Sequence, residues 1–297
     1  MPITHTLLRY PGGKTRLLPF MMMLYQKNNL IDGHYVEPYV GGGGLGIALL
    51  KQGYVQHLHF NDLDPAIYAF WWSLINKNNE MIKLIENVKV DLEEWHKQKN
   101  IQIAGDTSDL LRLGFSTLFL NRTNVSGIIN GGLIGGKNQT GKYKLDVRFN
   151  KATLIKKASF INHHKNKFSI YNEDSAKFLQ NQITNLPEKT LINLDPPYYV
   201  KGKALYQNWY THNNHVEIAK IIKNLKPLWI ITYDNVKEIH DLYENYKRIE
   251  YNLPYSINKY TIGKEVIIID PRIILPNREL VTNSLNITKT TSQNINF

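Results

Sequence analysis

The segment LINLDPPYYVKG sets Asp195, Pro196, Pro197 and Tyr198 directly behind an apolar run. Each prolyl ring fixes φ and removes an amide donor, so the carbonyls around Asp195 are held as outward-facing acceptors. The carboxylate is a further acceptor, and the tyrosine ring is a stacking surface. Together these residue types suit a planar group that carries an amino substituent. The exocyclic amine of adenine is a poor nucleophile because its lone pair is delocalised into the ring. Accepting its two N–H protons pushes the nitrogen towards tetrahedral geometry and frees the pair to attack a methyl sulfonium held in line. Asp195, Pro196, Pro197 and Tyr198 are therefore the catalytic candidates.

A second constellation lies in VEPYVGGGGLGIALL, where Gly41, Gly43 and Gly46 have the GxGxxG spacing between an expected strand and an expected helix. Without side chains, such a turn lets a ligand lie against the backbone. Asp62, about twenty residues on, ends the next strand, where it can accept from a pair of ribose hydroxyls. The spacing alone fits a nicotinamide or flavin dinucleotide nearly as well as S-adenosylmethionine. Glu37-Pro38 ahead of the glycines favours the latter, because a carboxylate there suits a zwitterionic sulfonium better than a pyrophosphate. Arg9-Tyr10-Pro11-Gly12-Gly13-Lys14 offers cations and an aromatic on a glycine turn, but it is not a P-loop, because the first glycine of that motif would fall on Leu8.

The elements that must position these groups alternate along the chain. Short β-branched or aromatic runs at Tyr35–Val40, Gln56–Asn61, Phe168–Tyr171, Thr190–Leu194, Leu228–Tyr233, Tyr246–Tyr251 and Thr261–Ile269 predict strands. Helical spacing between several of them predicts an α/β fold with a mainly parallel sheet covered on both faces. Asp64-Pro65 reads as an N-cap and first helical residue, opening a helix to Ile75, and Asn214–Lys226 reads as another helix. The gap between the second and third strands is far too long for an ordinary connection, so residues 76–164 read as an inserted, mostly helical second domain with helices at Met81–Val88 and Ser108–Asn121. Within it, Gly127–Lys142 reads as an exposed loop or hairpin. The catalytic domain would then be discontinuous, 1–75 with 165–275, and the Asn-, Thr- and Ser-rich 277–297 would be a frayed tail.

Composition narrows the functions. With 297 residues, 42% of them hydrophobic, the chain can bury a core. Cysteine is absent, which excludes disulfides, thiolate metal sites and any cysteine-nucleophile mechanism, including methylation at carbon 5 of cytosine. Lys and Arg number 36 against 25 Asp and Glu, a net charge of +11 that suits a polyanionic partner. The sequence shows no secretory signal and no apolar stretch of membrane-spanning length, so an intracellular, cytoplasmic location is expected. It has neither HExxH nor GxSxG, and His212 and His215 lack neighbouring carboxylates, so no metal is expected.

In this order RYPGGK, VEPYVGGGG, FND, LFLNR, NEDS and DPPY resemble the Dam-type family of DNA adenine N6-methyltransferases over roughly Leu8 to Asp270. The resemblance implies a Rossmann-like S-adenosylmethionine-dependent methyltransferase sheet with an inserted target-recognition domain. It implies that Tyr10 and Lys14 contact the cofactor, that Asp62 binds its ribose, and that Asp174 sits near its adenine. Asp195 would touch both cofactor and target amine, and Tyr198 would stack on a base flipped out of double-stranded DNA, since a base within the duplex is out of reach. With these go Glu37, Pro38, Gly41 and Gly43 as cofactor contacts, and Arg9, Asn121, Arg122 and Lys137 as DNA contacts. The segment GIINGGLIGGKNQTGKY lacks the aromatic character associated with enzymes that read GATC, which leaves the recognition sequence open. A monomer or weak dimer of prokaryotic or phage origin is expected. N4-methylation of cytosine, methylation of an amide, and DNA binding without catalysis are the competing readings. Aspartate at position 195 favours adenine over the first two, and the intact Asp62, Asp195 and Tyr198 argue against the third.

Overall fold

The computed structural model describes residues 5–9, 13–200, 210–255 and 261–285. Tyr10 lies outside them. Contacts divide the chain into two compact units, one of Met1–Gly13 with Asp64–Asn172 and the other of Lys14–Leu63 with Glu173–Phe297.

The first unit is mostly helical: α3 (Pro65–Asn76), α4 (Asn78–Asn87), α5 (Leu92–Ala104), α6 (Leu110–Thr123) and α7 (Lys151–His163), with strand β3 (Phe168–Tyr171). Four helix starts are marked by side chains that satisfy otherwise unpaired amides. Asp64 accepts from Ala66, Asp91 from Glu94, Asp109 from Arg112 and Asn150 from Thr153. Gly114 lets α6 lie against α3, since a Cβ there would come within 2.4 Å of the Ala69 carbonyl. Hydroxyls complete the seams: Thr117 donates to the Ala66 carbonyl at 3.1 Å and Ser116 to that of Gln98 at 2.7 Å.

The second unit contains α1 (Leu18–Lys27), β1 (Gly33–Glu37), α2 (Gly44–Lys51), β2 (Val55–Asn61), α8 (Ser175–Asn181), β4 (Thr190–Leu194), α9 (His212–Ile222), β5 (Leu228–Asp234), α10 (Lys237–Leu242), β6 (Lys247–Tyr255), β7 (Thr261–Ile269) and α11 (Arg278–Ser284). Its strands lie in the order β2-β1-β4-β5-β7-β6. Val36 faces Ile192 and Leu194 faces Ile231 in parallel pairs, whereas β7 runs antiparallel between β5 and β6. This is a Rossmann-like sheet, and its order reverses at the β1/β4 boundary, where ligands of such sheets bind outside the carboxyl ends of the strands. β1 stops at Glu37 and not at Val40, because Pro38 has no amide to give the ladder. Arg278–Ser284 is a helix capped by Asn277, with Val281 fully buried, so the expected frayed tail is corrected for those residues. Among the described residues no helix is long and apolar enough to cross a membrane, and no cluster of three or more His, Cys, Asp or Glu side chains could hold a metal ion.

Candidate active site

The candidate groups of the second unit follow the carboxyl ends of its strands. Glu37 closes β1, Asp62 follows β2, Asp195 follows β4, and Asp174 caps α8. Gly41 and Gly43 have φ of 43° and 58°, values that favour glycine, and the Gly41 amide donates to Asp62 Oδ2 at 2.9 Å. Gly46 seats α2, since a Cβ there would lie 2.9 Å from the Phe60 ring. The Pro38 carbonyl is claimed from two sides, by Asn61 Nδ2 at 3.0 Å and by the Ser175 hydroxyl at 3.2 Å. Asn61 also exchanges two bonds with the Glu173 backbone, each 3.0 Å, and so ties the segment bearing Asp174 to the end of β2. Asp174 spends Oδ1 on the Ala176 and Lys177 amides at 3.0 and 3.3 Å.

Glu37 is 6% exposed; its Oε1 accepts from the Tyr35 hydroxyl at 3.0 Å, and its Oε2 is buried with no hydrogen-bond partner among the described residues. Burial pushes its carboxyl up to about 8, with the charge of Asp195 adding to the rise and Tyr35 and the Gly46 amide opposing it. A buried acid with one unsatisfied oxygen is costly unless something else completes it.

Asp195 is divided between two surroundings. Its Oδ1 accepts from the Thr232 hydroxyl at 2.7 Å and lies 3.0 Å from Lys14 Nζ. Oδ2 makes no described hydrogen bond, and the side chain is 26% exposed. Burial raises its pKa and the Glu265 carboxylate adds to that, while Lys14 and the Thr232 hydroxyl pull it down. Lys14, expected at the cofactor, is 7% exposed and also donates to the Tyr198 hydroxyl at 2.8 Å. Tyr198 is 4% exposed, and its hydroxyl donates in turn to Glu265. The turn beyond it is held by Asp234, whose oxygens accept from the Tyr199 and Val200 amides at 2.9 and 3.0 Å.

Thr232, Asp234 and Glu265 were not legible as site residues. The available signal was an acid, Glu265, inside the apolar strand TIGKEVIII, where charged side chains are almost never fully buried unless paired.

In the first unit, Asn121 straps the backbone of Arg9, accepting from its amide at 2.7 Å and donating to its carbonyl at 2.9 Å. The Arg9 guanidinium donates to the Asn124 carbonyl at 3.3 Å. Arg122 is partly buried, with Nε unpartnered among the described residues, and burial together with the charges of Arg9 and Arg148 lowers it to about 10. Arg148 ends a short turn whose next residue, Phe149, packs on Phe119 of α6 at 5.5 Å, one helical turn from Arg122. No described carboxylate pairs with these three arginines. Lys137 is exposed in the loop beyond, which is ordered by side-chain bonds to its own backbone. Asn124 donates to the Ile128 and Ile129 carbonyls at 3.0 and 2.8 Å, and Gln139 donates to that of Ile134 at 2.8 Å.

The α/β sheet carries its glycine turn and its acid-proline-proline edge at the switch point of the strand order. The D12 class N6 adenine-specific DNA methyltransferase family matches residues 10–257, and the chain belongs to that family. It is 24% identical over 217 residues to the Type II methyltransferase M1.LlaDCHI of Lactococcus lactis subsp. cremoris, covering 69% of each chain. Among solved structures it matches the putative methyltransferase yhhF from Escherichia coli, with a TM-score of 0.34 and 9% identity over 88% of this chain and 90% of that one. It also matches the putative methylase HI0767 from Haemophilus influenzae, with a TM-score of 0.31 and 11% identity over 84% and 94%. The protein is an enzyme that methylates N6 of adenine in DNA.

Proposed function

We propose that the carboxyl edge of the second unit's sheet binds S-adenosylmethionine and an adenine turned out of double-stranded DNA, with Asp195 Oδ2 as the acceptor for the target amine. The observation that carries this is the divided Asp195 carboxylate, one oxygen tethered and the other open. S-Adenosylmethionine, when bound, supplies a methyl group on a sulfonium. Gly41 and Gly43 would leave it a backbone surface, Asp62 would accept from its ribose hydroxyls, and Asp174 would meet its base. The cofactor's ammonium suits Glu37, whose unpartnered Oε2 lacks such a group. Asp195 Oδ2 and the carbonyls fixed by Pro196 and Pro197 accept the two N6 hydrogens, which localises the nitrogen lone pair for bond formation. The transfer would form an N–C bond and break the methyl–sulfur bond, leaving a neutral thioether, and Asp195, its basicity raised by burial, would receive the proton that the methylated amine then sheds. Tyr198 supplies the stacking ring, held at its hydroxyl. The protein acts inside the cell, as a monomer or weak dimer.

Incubating the protein with DNA and cofactor tritiated in the methyl group, then digesting to nucleosides, is expected to place the label in N6-methyladenine. Label in N4-methylcytosine, or in no base, would overturn the reading.

Arg9, Arg122 and Arg148, with Asn121 positioning the first, are assigned to DNA phosphates, and Lys137 to an outer contact. Replacing Arg122 with alanine should weaken binding of all duplexes alike, by roughly tenfold, and reduce the slope of log K against log salt by about one. Fluorescence anisotropy at several salt concentrations measures both. A slope equal to that of the wild type would remove Arg122 from the phosphate contacts.

A further inference from the structure

A carboxylate far from the DPPY segment in sequence lies at the centre of its hydrogen bonds. Glu265, 1% exposed, faces Asp234 of β5 on one side and Tyr251 of β6 on the other. Its Oε1 accepts from Tyr198, and its Oε2 accepts from Tyr251 and lies 3.5 Å from Lys14 Nζ. Lys14 reaches on to Asp195 Oδ1 at 3.0 Å and to the Tyr198 hydroxyl at 2.8 Å. The described contacts close into a ring in which two partners of Glu265, Lys14 and Tyr198, are proposed site residues. A buried acid serving packing alone would be better replaced by an apolar side chain of similar volume.

We propose that Glu265 is a positioning residue for methyl transfer: it holds Lys14 and Tyr198 so that Asp195 turns one oxygen inward and presents the other to the target amine. The proposal rests on the assignment of Asp195 as amine acceptor. Among the described residues, the carboxylates of Asp195 and Glu265 around the Lys14 ammonium carry one negative charge in excess when all three are ionised. The reaction carries one positive charge, on the sulfonium before transfer and on the methylated purine until its proton leaves. A fixed, water-poor negative cluster favours that charge throughout, with no reorganisation as it moves.

The charged and titratable groups around Asp195 come from four elements: Lys14 before α1, Glu37 at the end of β1, Glu265 on β7, and Tyr198 beyond β4, with the Thr232 hydroxyl from β5. Tyr251 adds its hydroxyl at Glu265 from β6. Removing the charge at position 265 takes away a repulsion that disfavours ionised Asp195, so the acid limb of kcat should move to lower pH.

The test is Glu265→Gln in the full chain, which preserves shape and removes charge. The expected result is a loss of about tenfold or more in kcat, KM for DNA and cofactor changed little, and the acid limb displaced downward. Paired with Lys14→Gln, the effects should be strongly non-additive, because both act through the same contacts. A folded Glu265→Gln enzyme with wild-type kcat and pH profile overturns the proposal. Should Glu265→Gln fail to fold, Tyr251→Phe removes one donor to the same carboxylate and is expected to lower kcat at unchanged KM; wild-type kcat in that variant overturns it equally. Asp195→Asn serves as the control: an inactive Asp195→Asn beside an unaffected Glu265→Gln rejects only the positioning role, whereas an active Asp195→Asn rejects the assignment beneath it.

Discussion

Asp195→Asn is expected to reduce single-turnover methyl transfer by about a thousandfold or more while duplex binding changes by only a few fold. The variant keeps the shape of the side chain, and its carbonyl oxygen can still accept from Thr232 and Lys14, which in the native protein hold Oδ1 at 2.7 and 3.0 Å. The amide nitrogen then occupies the position of Oδ2. Two N–H donors from the protein face two from the amine, so an attraction that strengthens along the reaction becomes a repulsion. Rapid-quench assays with labelled cofactor measure the rate, and anisotropy measures the binding. Transfer within about tenfold of the wild type would mean that the amine is held elsewhere.

Glu37→Gln is expected to stabilise the protein while weakening cofactor binding. A buried carboxyl raised to about 8 binds a proton in the folded chain that the unfolded chain releases near its ordinary value of 4.5. Between those two values the native state holds more protons, so stability falls as pH rises through the window, by about 1.4 kcal/mol per pH unit and hence by roughly 3 kcal/mol at pH 7. Glutamine retains an acceptor for Tyr35 and has no such dependence. Denaturant unfolding at pH 5 and pH 8 should show a large loss for the wild type and little for the variant; equal slopes would contradict the buried, incompletely satisfied Glu37. A cationic ligand group reverses the preference, since it favours the ionised form. Cofactor binding by the wild type should therefore release protons and tighten as pH rises towards 8, and the variant should bind weakly at every pH. Calorimetry in buffers of different ionisation enthalpy counts those protons.

Much of the sheet could be read from local pattern. Phe168–Tyr171, Thr190–Leu194 and Thr261–Ile269 are strands over the residues that β-branched and aromatic runs indicated, and Asp64-Pro65 opens α3 as its cap chemistry predicts. The helix Leu92–Ala104 escaped notice because Glu93, Glu94, Lys97 and Lys99 mask its apolar stripe, although Asp91 and Gly105 mark its two ends. Motifs brought out the groups that follow one strand each, such as Gly41, Asp62 and Asp195. They did not bring out what holds those groups. Thr232 and Asp234 end a strand that reads as ordinary core, and only pairing β5 beside β4 sets them under Asp195 and the Tyr199 amide. Lys14 reads as a cofactor contact on a glycine turn, and nothing local announces its ion pairs with Asp195 and Glu265, both distant in sequence. Such roles are set by long-range pairing, which local spacing does not encode.

The antiparallel course of β7 has a temporal corollary. Because it slips between β5 and β6, the ring that closes on Lys14 joins residues far apart in the sequence. A chain still on the ribosome can pair Lys14 with Asp195 of the Asp-Pro-Pro edge before Glu265, the second acid of the ring, emerges. Catalytic competence should therefore arrive late and all at once in biosynthesis, as long sequence separation between paired strands also slows folding.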